Sequence, residues 1–133
     1  MKVLKKLRTF RDYDIAHFHK VEDAFNELLK NSFKLMKQPL QLRIQDHFVD
    51  RINERNLDKV KIILMIETAF NKHLCEIVYF TKLETRPVRL VLHKDGYYIC
   101  FTFAPTGILT ARTVINNHAR YTGRVEEFII EIV

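Results

Sequence analysis

The stretch Arg86-Pro87-Val88-Arg89-Leu90-Val91-Leu92-His93-Lys94-Asp95-Gly96-Tyr97-Tyr98-Ile99-Cys100-Phe101-Thr102-Phe103 decides the fold. Asp-Gly supplies the positive φ angles of a tight hairpin turn, and the runs on either side are β-branched or aromatic. The reading is two antiparallel strands, Arg86 to His93 and Tyr97 to Phe103. Towards the C-terminus, Pro105 and Gly107 mark the next turn, and Ala111 to Asn117 reads as another strand. The tail from Phe128 to Val133 is apolar and suits pairing with a sheet edge. Leu74 to Tyr79, upstream of the hairpin, also reads as a strand.

Further upstream the apolar period changes from two to that of a helix. Asp58 is the expected N-cap of a helix reaching Lys72, and Asp46 opens a short helix through Asn56. Leu40, Leu42 and Ile44 alternate with Gln41 and Arg43, the pattern of a short strand. From Asp14 to Lys37 there is no Gly or Pro, and Ile15, Phe18, Val21, Phe25, Leu28 and Leu29 recur at helical spacing. That predicts one long amphipathic helix ending before Pro39. Helices first and strands after predict an α+β fold, with N-terminal helices packed on one face of a four- to five-stranded antiparallel sheet. The 133 residues show no repeat or linker and fit a single domain over 1–133.

The chain is basic, with a net charge of +6 and a pI near 9.4, which suits a polyanionic partner. Cys75 and Cys100 sit in apolar runs without metal-ligand spacing and read as buried free thiols, in keeping with a reducing cytoplasm. No apolar run approaches a membrane span, and the basic start from Met1 to Arg11 lacks the apolar region of a secretory signal.

Candidate chemistry begins on the short helix. Phe48, Val49 and Ile52 gather on one side, while His47, Asp50, Arg51 and Glu54 gather on the other. His47 is therefore not a core histidine by spacing. On the next helix, Glu67 projects between Val60, Ile63 and Leu64, an uncommon setting for a carboxylate. It reads either as an arginine's structural partner or as a group at a site rim with acid–base use. Arg89 and His93 share one face of their strand, Arg112 lies on the following strand, and His118, Arg120 and Arg124 lie just beyond. Together they suit a phosphate cradle, and Tyr97, Tyr98 and Tyr121 suit stacking on unpaired bases. There is no phosphate-binding glycine loop, nucleophile elbow or carboxylate cluster of the two-metal kind. No cofactor or metal is expected.

Three blocks carry a resemblance. Gln45-Asp46-His47-Phe48-Val49-Asp50-Arg51 is one. Arg86-Pro87-Val88-Arg89-Leu90, followed by Asp95-Gly96 and Phe101-Thr102-Phe103, is the second. Arg112, Ile115, Asn117, Arg120, Gly123 and Arg124 form the third. In this order, and over His47 to Arg124, they resemble the RegB family of phage endoribonucleases. The resemblance implies the small RelE/YoeB-type ribonuclease fold and metal-free cleavage of single-stranded mRNA in GGAG-type sequences. The 2′-OH would attack the neighbouring phosphate and leave a 2′,3′-cyclic phosphate. It further implies a cytoplasmic setting and help from ribosomal protein S1. By the same resemblance His47 matches a histidine needed for activity, Arg51 an arginine of that helix, and Arg89, Arg112 and Arg120 basic positions. The family's second histidine falls where this chain has Glu67 or Thr68. Glu67 can act as base beside a histidine acid, and His93 or His73 are substitutes. Two alternatives use the same fold: a non-catalytic RNA-binding translational regulator, and a toxin-like nuclease that cuts mRNA on the ribosome.

Overall fold

The computed structural model describes residues 10–30, 40–82, 89–104, 107–116 and 127–132. Helix α1 (Phe10–Lys30) leads to strand β1 (Gln41–Ile44), then to helices α2 (Asp46–Glu54), α3 (Lys59–Lys72) and α4 (Leu74–Lys82). Strands β2 (Arg89–Lys94), β3 (Tyr97–Ala104), β4 (Ile108–Ile115) and β5 (Glu127–Glu131) follow. They form one five-stranded sheet in the order β1-β4-β3-β2-β5.

The hairpin forms as its turn residues dictate. Asp95 and Gly96 have φ of 46° and 81°, the pair of positive angles a two-residue turn requires, and β2 pairs antiparallel with β3. Gly107, with φ of 99°, turns the chain into β4, which pairs antiparallel with β3. The sheet is nevertheless mixed, which corrects the antiparallel expectation. β1 pairs parallel with β4, and β5 parallel with β2. Tight turns make antiparallel neighbours, whereas both edge strands join the sheet through long connections, which permit parallel pairing.

The run Leu74–Tyr79 is helical, within α4, and not a strand. His73 ends α3, and the chain begins a new helix at once, with Ile77 and Phe80 buried at i,i+3 spacing. This places Cys75 on the exposed side, so only Cys100 is a buried thiol, and burial raises its pKa to about 11.

The core lies between the helices and one sheet face. Phe18, Phe25, Phe48, Ile52, Ile62, Ile66 and Phe70 from the helices meet Leu42, Ile44, Leu90, Leu92, Ile99, Phe101 and Leu109 from the strands. α3 starts as its sequence predicts, with Asp58 accepting a hydrogen bond from the Lys61 N–H at 3.1 Å. The free edge of β1 is closed by α1. Asn26 accepts from the Leu42 N–H at 2.7 Å and donates to the Leu42 carbonyl at 2.9 Å, and Glu22 accepts from the Ile44 N–H. These side chains take the place of a neighbouring strand. No helix among the described residues is long and apolar enough to cross a membrane.

Candidate nucleic-acid interface and active-site residues

α2 buries Phe48, Val49 and Ile52 and turns His47 and Arg51 outwards, as the periodicity predicts. Neither side chain makes a hydrogen bond or ion pair among the described residues. His47, Arg51 and Arg55 recur at every fourth residue and form one stripe, about 12 Å long at the helical rise. Arg55 ends the stripe on the sheet. It donates to the Thr113 hydroxyl at 3.2 Å and to the Val114 carbonyl at 2.9 Å, on the part of β4 that β1 leaves uncovered.

The other flank of α2 is tied to α1. Arg11 pairs with Asp50 at 2.7 Å, Asn53 donates to Asp14 at 3.1 Å, and His19 Nε2 meets Asp46 at 2.9 Å. The hydrogen bond to Asp46 raises the His19 pKa, with Glu22 adding to it. His19, at the N-terminus of α2, is a residue that sequence reasoning passed over. Its carboxylate partners lie 3 and 27 positions away, so only the fold assembles the group.

Glu67 is half-buried in a groove of about 340 Å³ between α1 and α3, with Asp14, His17, Lys59, Val60 and Leu64. Asp14 is held by Lys59 at 2.9 Å, while Glu67 has no partner among the described residues. It is thus no arginine's structural partner there. α1 contacts α2 through Arg11, Asp14 and His19, β1 through Glu22 and Asn26, and α3 through Asp14 and His17, so Asp14 accepts from both Asn53 and Lys59. His47 is not among the residues that line the groove of Glu67. Thr68 lines a separate groove, with Lys61, Leu64 and Lys94. His73, largely buried at the end of α3, is held by Glu76 at 2.8 Å.

The strands place Arg89, His93, Tyr98 and Arg112 on the sheet face away from the helices. Arg89 and Thr102 are register partners, and Arg112 Nε donates to the Thr102 hydroxyl at 2.9 Å, so the two arginines converge. Arg112 stands where the β3–β4 register shifts, since Cys100 pairs with Thr113 and Phe101 with Ala111. A bulge of this kind re-aims a side chain, here outwards. Glu127 lies 3.9 Å from Arg89. Farther along β2, Glu131 holds His93 Nδ1 at 2.5 Å, and the His93 ring stacks on Tyr98 at 4.3 Å. Tyr97 faces the helices instead: its hydroxyl accepts from the Asp58 N–H at 3.1 Å, and Lys61 lies 4.4 Å over its ring. Arg120, Tyr121 and Arg124 lie outside the described residues, as does His118. No group of three or more His, Cys, Asp or Glu among the described residues is arranged to hold a metal ion.

These features define a small α+β protein with helices on one face of a mixed sheet and arginines on the other. No protein-family model and no curated protein sequence matches the chain. A solved structure does: the chain is similar to the solution structure of the phage T4 endoribonuclease RegB, with a TM-score of 0.62 and 19% identity. The match covers 86% of this chain and 88% of that one. The fold is therefore the RegB fold, as the three sequence blocks imply.

Proposed function

We propose that the chain is an endoribonuclease that cuts single-stranded mRNA by transesterification, without a metal. The observation that carries this reading is the placement of His47 and Arg51, exposed and structurally unemployed, on a helix of a fold shared with an endoribonuclease. In the reaction the 2′-OH loses its proton and its oxygen bonds to the adjacent phosphorus. The bond from phosphorus to the 5′ oxygen breaks, and that oxygen gains a proton. His47 transfers one of these protons, a task that suits an imidazole near neutral pH. Arg51, one turn on, neutralises the extra charge at phosphorus in the transition state, and Arg89 and Arg112 hold flanking phosphates. Tyr98, with Tyr121, stacks on bases, and Arg120, Arg124 and His93 complete the RNA contacts. GGAG-type selectivity, assistance by ribosomal protein S1 and a cytoplasmic site of action belong to the same reading.

Glu67 enters as the complementary base only where the bound RNA reaches from His47 to the α1–α3 groove. Glu67→Gln lowers kcat roughly 100-fold or more in that case, and an unchanged rate removes it from the mechanism. The test of the whole reading is incubation with a short single-stranded RNA containing GGAG, in EDTA, with and without S1, followed by mapping of the product ends. The expected result is one cut leaving a cyclic phosphate. His47→Ala is expected to lose at least about 100-fold in rate with an unchanged circular dichroism spectrum. Full cleavage by His47→Ala overturns the assignment.

One observation favours a second reading. The groove that holds Glu67 does not include His47, and among the described residues no second proton-transfer group is bonded to His47. A non-catalytic RNA-binding translational regulator needs no such group. Tight binding of intact RNA in the same experiment supports that reading.

A further inference from the structure

The sheet face away from the helices carries a third arginine. Reading the register across the strands gives Arg43 beside Thr110, Thr110 beside Thr102, and Thr102 beside Arg89. Three strand spacings of about 4.8 Å separate Arg43 from Arg89, roughly 14 Å in all. Among the described residues, Thr102 and the buried Thr110 stand between them, and Arg112 leans on Thr102 from the bulge. Arg43 is exposed and engages no partner among the described residues.

The neighbouring carboxylates are already committed. Glu22 and Asp46, which line the α1–β1 groove with Arg43, are held by the Ile44 N–H and by His19. Glu127 faces Arg89 at the far end of the row. At the near end, Arg55 crosses the open edge of β4 to reach Thr113 on this same face, in the row of Cys100 next to that of Thr102, so the His47–Arg51–Arg55 stripe ends beside the row.

We propose that Arg43 is a phosphate contact, and that Arg43, Arg112 and Arg89 carry an RNA strand across the outer sheet face from the open edge beside α2. The inference rests on the RNA reading above and gives the strand its path. A bare arginine costs nothing to recruit, whereas one already paired must first give up its carboxylate. Arg43 accordingly gains more from a phosphate than Arg89, which faces Glu127.

The test is binding of a short fluorescent single-stranded RNA to the intact His47→Ala protein, followed by anisotropy over a range of salt concentrations. Arg43→Gln is expected to weaken binding roughly three- to tenfold at low salt and to reduce the slope of log K against log salt by about 0.7. Arg43→Lys restores the slope. Lys20→Gln, which removes the same charge from the outward side of α1, leaves it unchanged. An unaltered slope for Arg43→Gln, or an equal loss for Lys20→Gln, overturns the proposal. The two readings fail separately. If the unmodified protein binds RNA without cutting it and Arg43→Gln still lowers the slope, the path stands and the nuclease reading falls. Cleavage together with an unaltered Arg43→Gln slope is the reverse.

Discussion

His19 has a different proton affinity in the folded chain from that of a free imidazole, because Asp46 and Glu22 face its two ring nitrogens. Both carboxylates favour the imidazolium, and the pKa rises above 6.5. A raised folded-state pKa stabilises the fold fully below the unfolded value and loses that contribution as pH rises through the folded one. The side chain is 43% exposed, so the effect is small, about 0.5 kcal/mol. His19→Gln is therefore expected to unfold at lower denaturant than the unmodified chain at pH 5.5, with the gap closing by pH 8.5. A gap that is constant or widens with pH sinks this account. The residue scale is also where sequence reasoning reaches unevenly. His47 and Arg51 are legible because a helix with Phe48, Val49 and Ile52 buried must expose them. Glu67 stands out as misplaced from its neighbours alone. That Glu67 lines a groove with Asp14, His17 and Lys59, without His47, is a matter of packing, which no local pattern encodes. The row that Arg43, Arg112 and Arg89 form across the sheet depends on strand order and on a bulge, and neither is written in any one strand.

At the scale of elements, β1 shows how an edge strand survives without a second neighbour. Its outer backbone groups are taken by Asn26 and Glu22 of α1. Removing the amide leaves the Leu42 N–H and carbonyl unpaired in a partly buried place, which costs about 1–3 kcal/mol. Asn26→Ala is expected to lose that much in denaturant unfolding, with faster hydrogen exchange at the Leu42 amide. An unchanged stability with an unprotected Leu42 amide in both proteins contradicts this role. The elements whose signals are local are read correctly: the Asp95-Gly96 hairpin, the Asp58 cap and the two faces of α2. Those that depend on distant chain are not. Leu74–Tyr79 is short and apolar, and its period cannot decide between strand and helix; the helical choice comes from the start immediately after His73. The direction of β1 and β5 in the sheet is set by how their connections travel, so their strand-like composition leaves parallel and antiparallel pairing equally open.

At the scale of the molecule, the core is a single cluster to which every helix and strand contributes. Phe18 and Phe25 of α1, Phe70 of α3 and Phe80 of α4 join strand residues from Leu42 of β1 to Ile130 of β5. No element keeps a separate apolar centre in that cluster, so losing one exposes the packing of the others. We infer one cooperative unit over 1–133, with a single unfolding transition and a heat-capacity increment of about 1.6–2.0 kcal/mol/K. The chain has no tryptophan, so tyrosine reports on tertiary structure. Tyr97 is suited to this, because it joins β3 to the start of α3 through the Asp58 N–H and Lys61. Far-ultraviolet circular dichroism, which follows the helices, and near-ultraviolet tyrosine signals, which follow helix–sheet docking, are expected to give superimposable denaturation curves. Tyr97→Phe should shift both curves together to lower denaturant, since it removes the oxygen that accepts from Asp58 N–H. Two separated transitions would break the single-unit reading. They would also count against the proposed RNA path from α2 onto the sheet, which requires the helix layer and the sheet to remain docked.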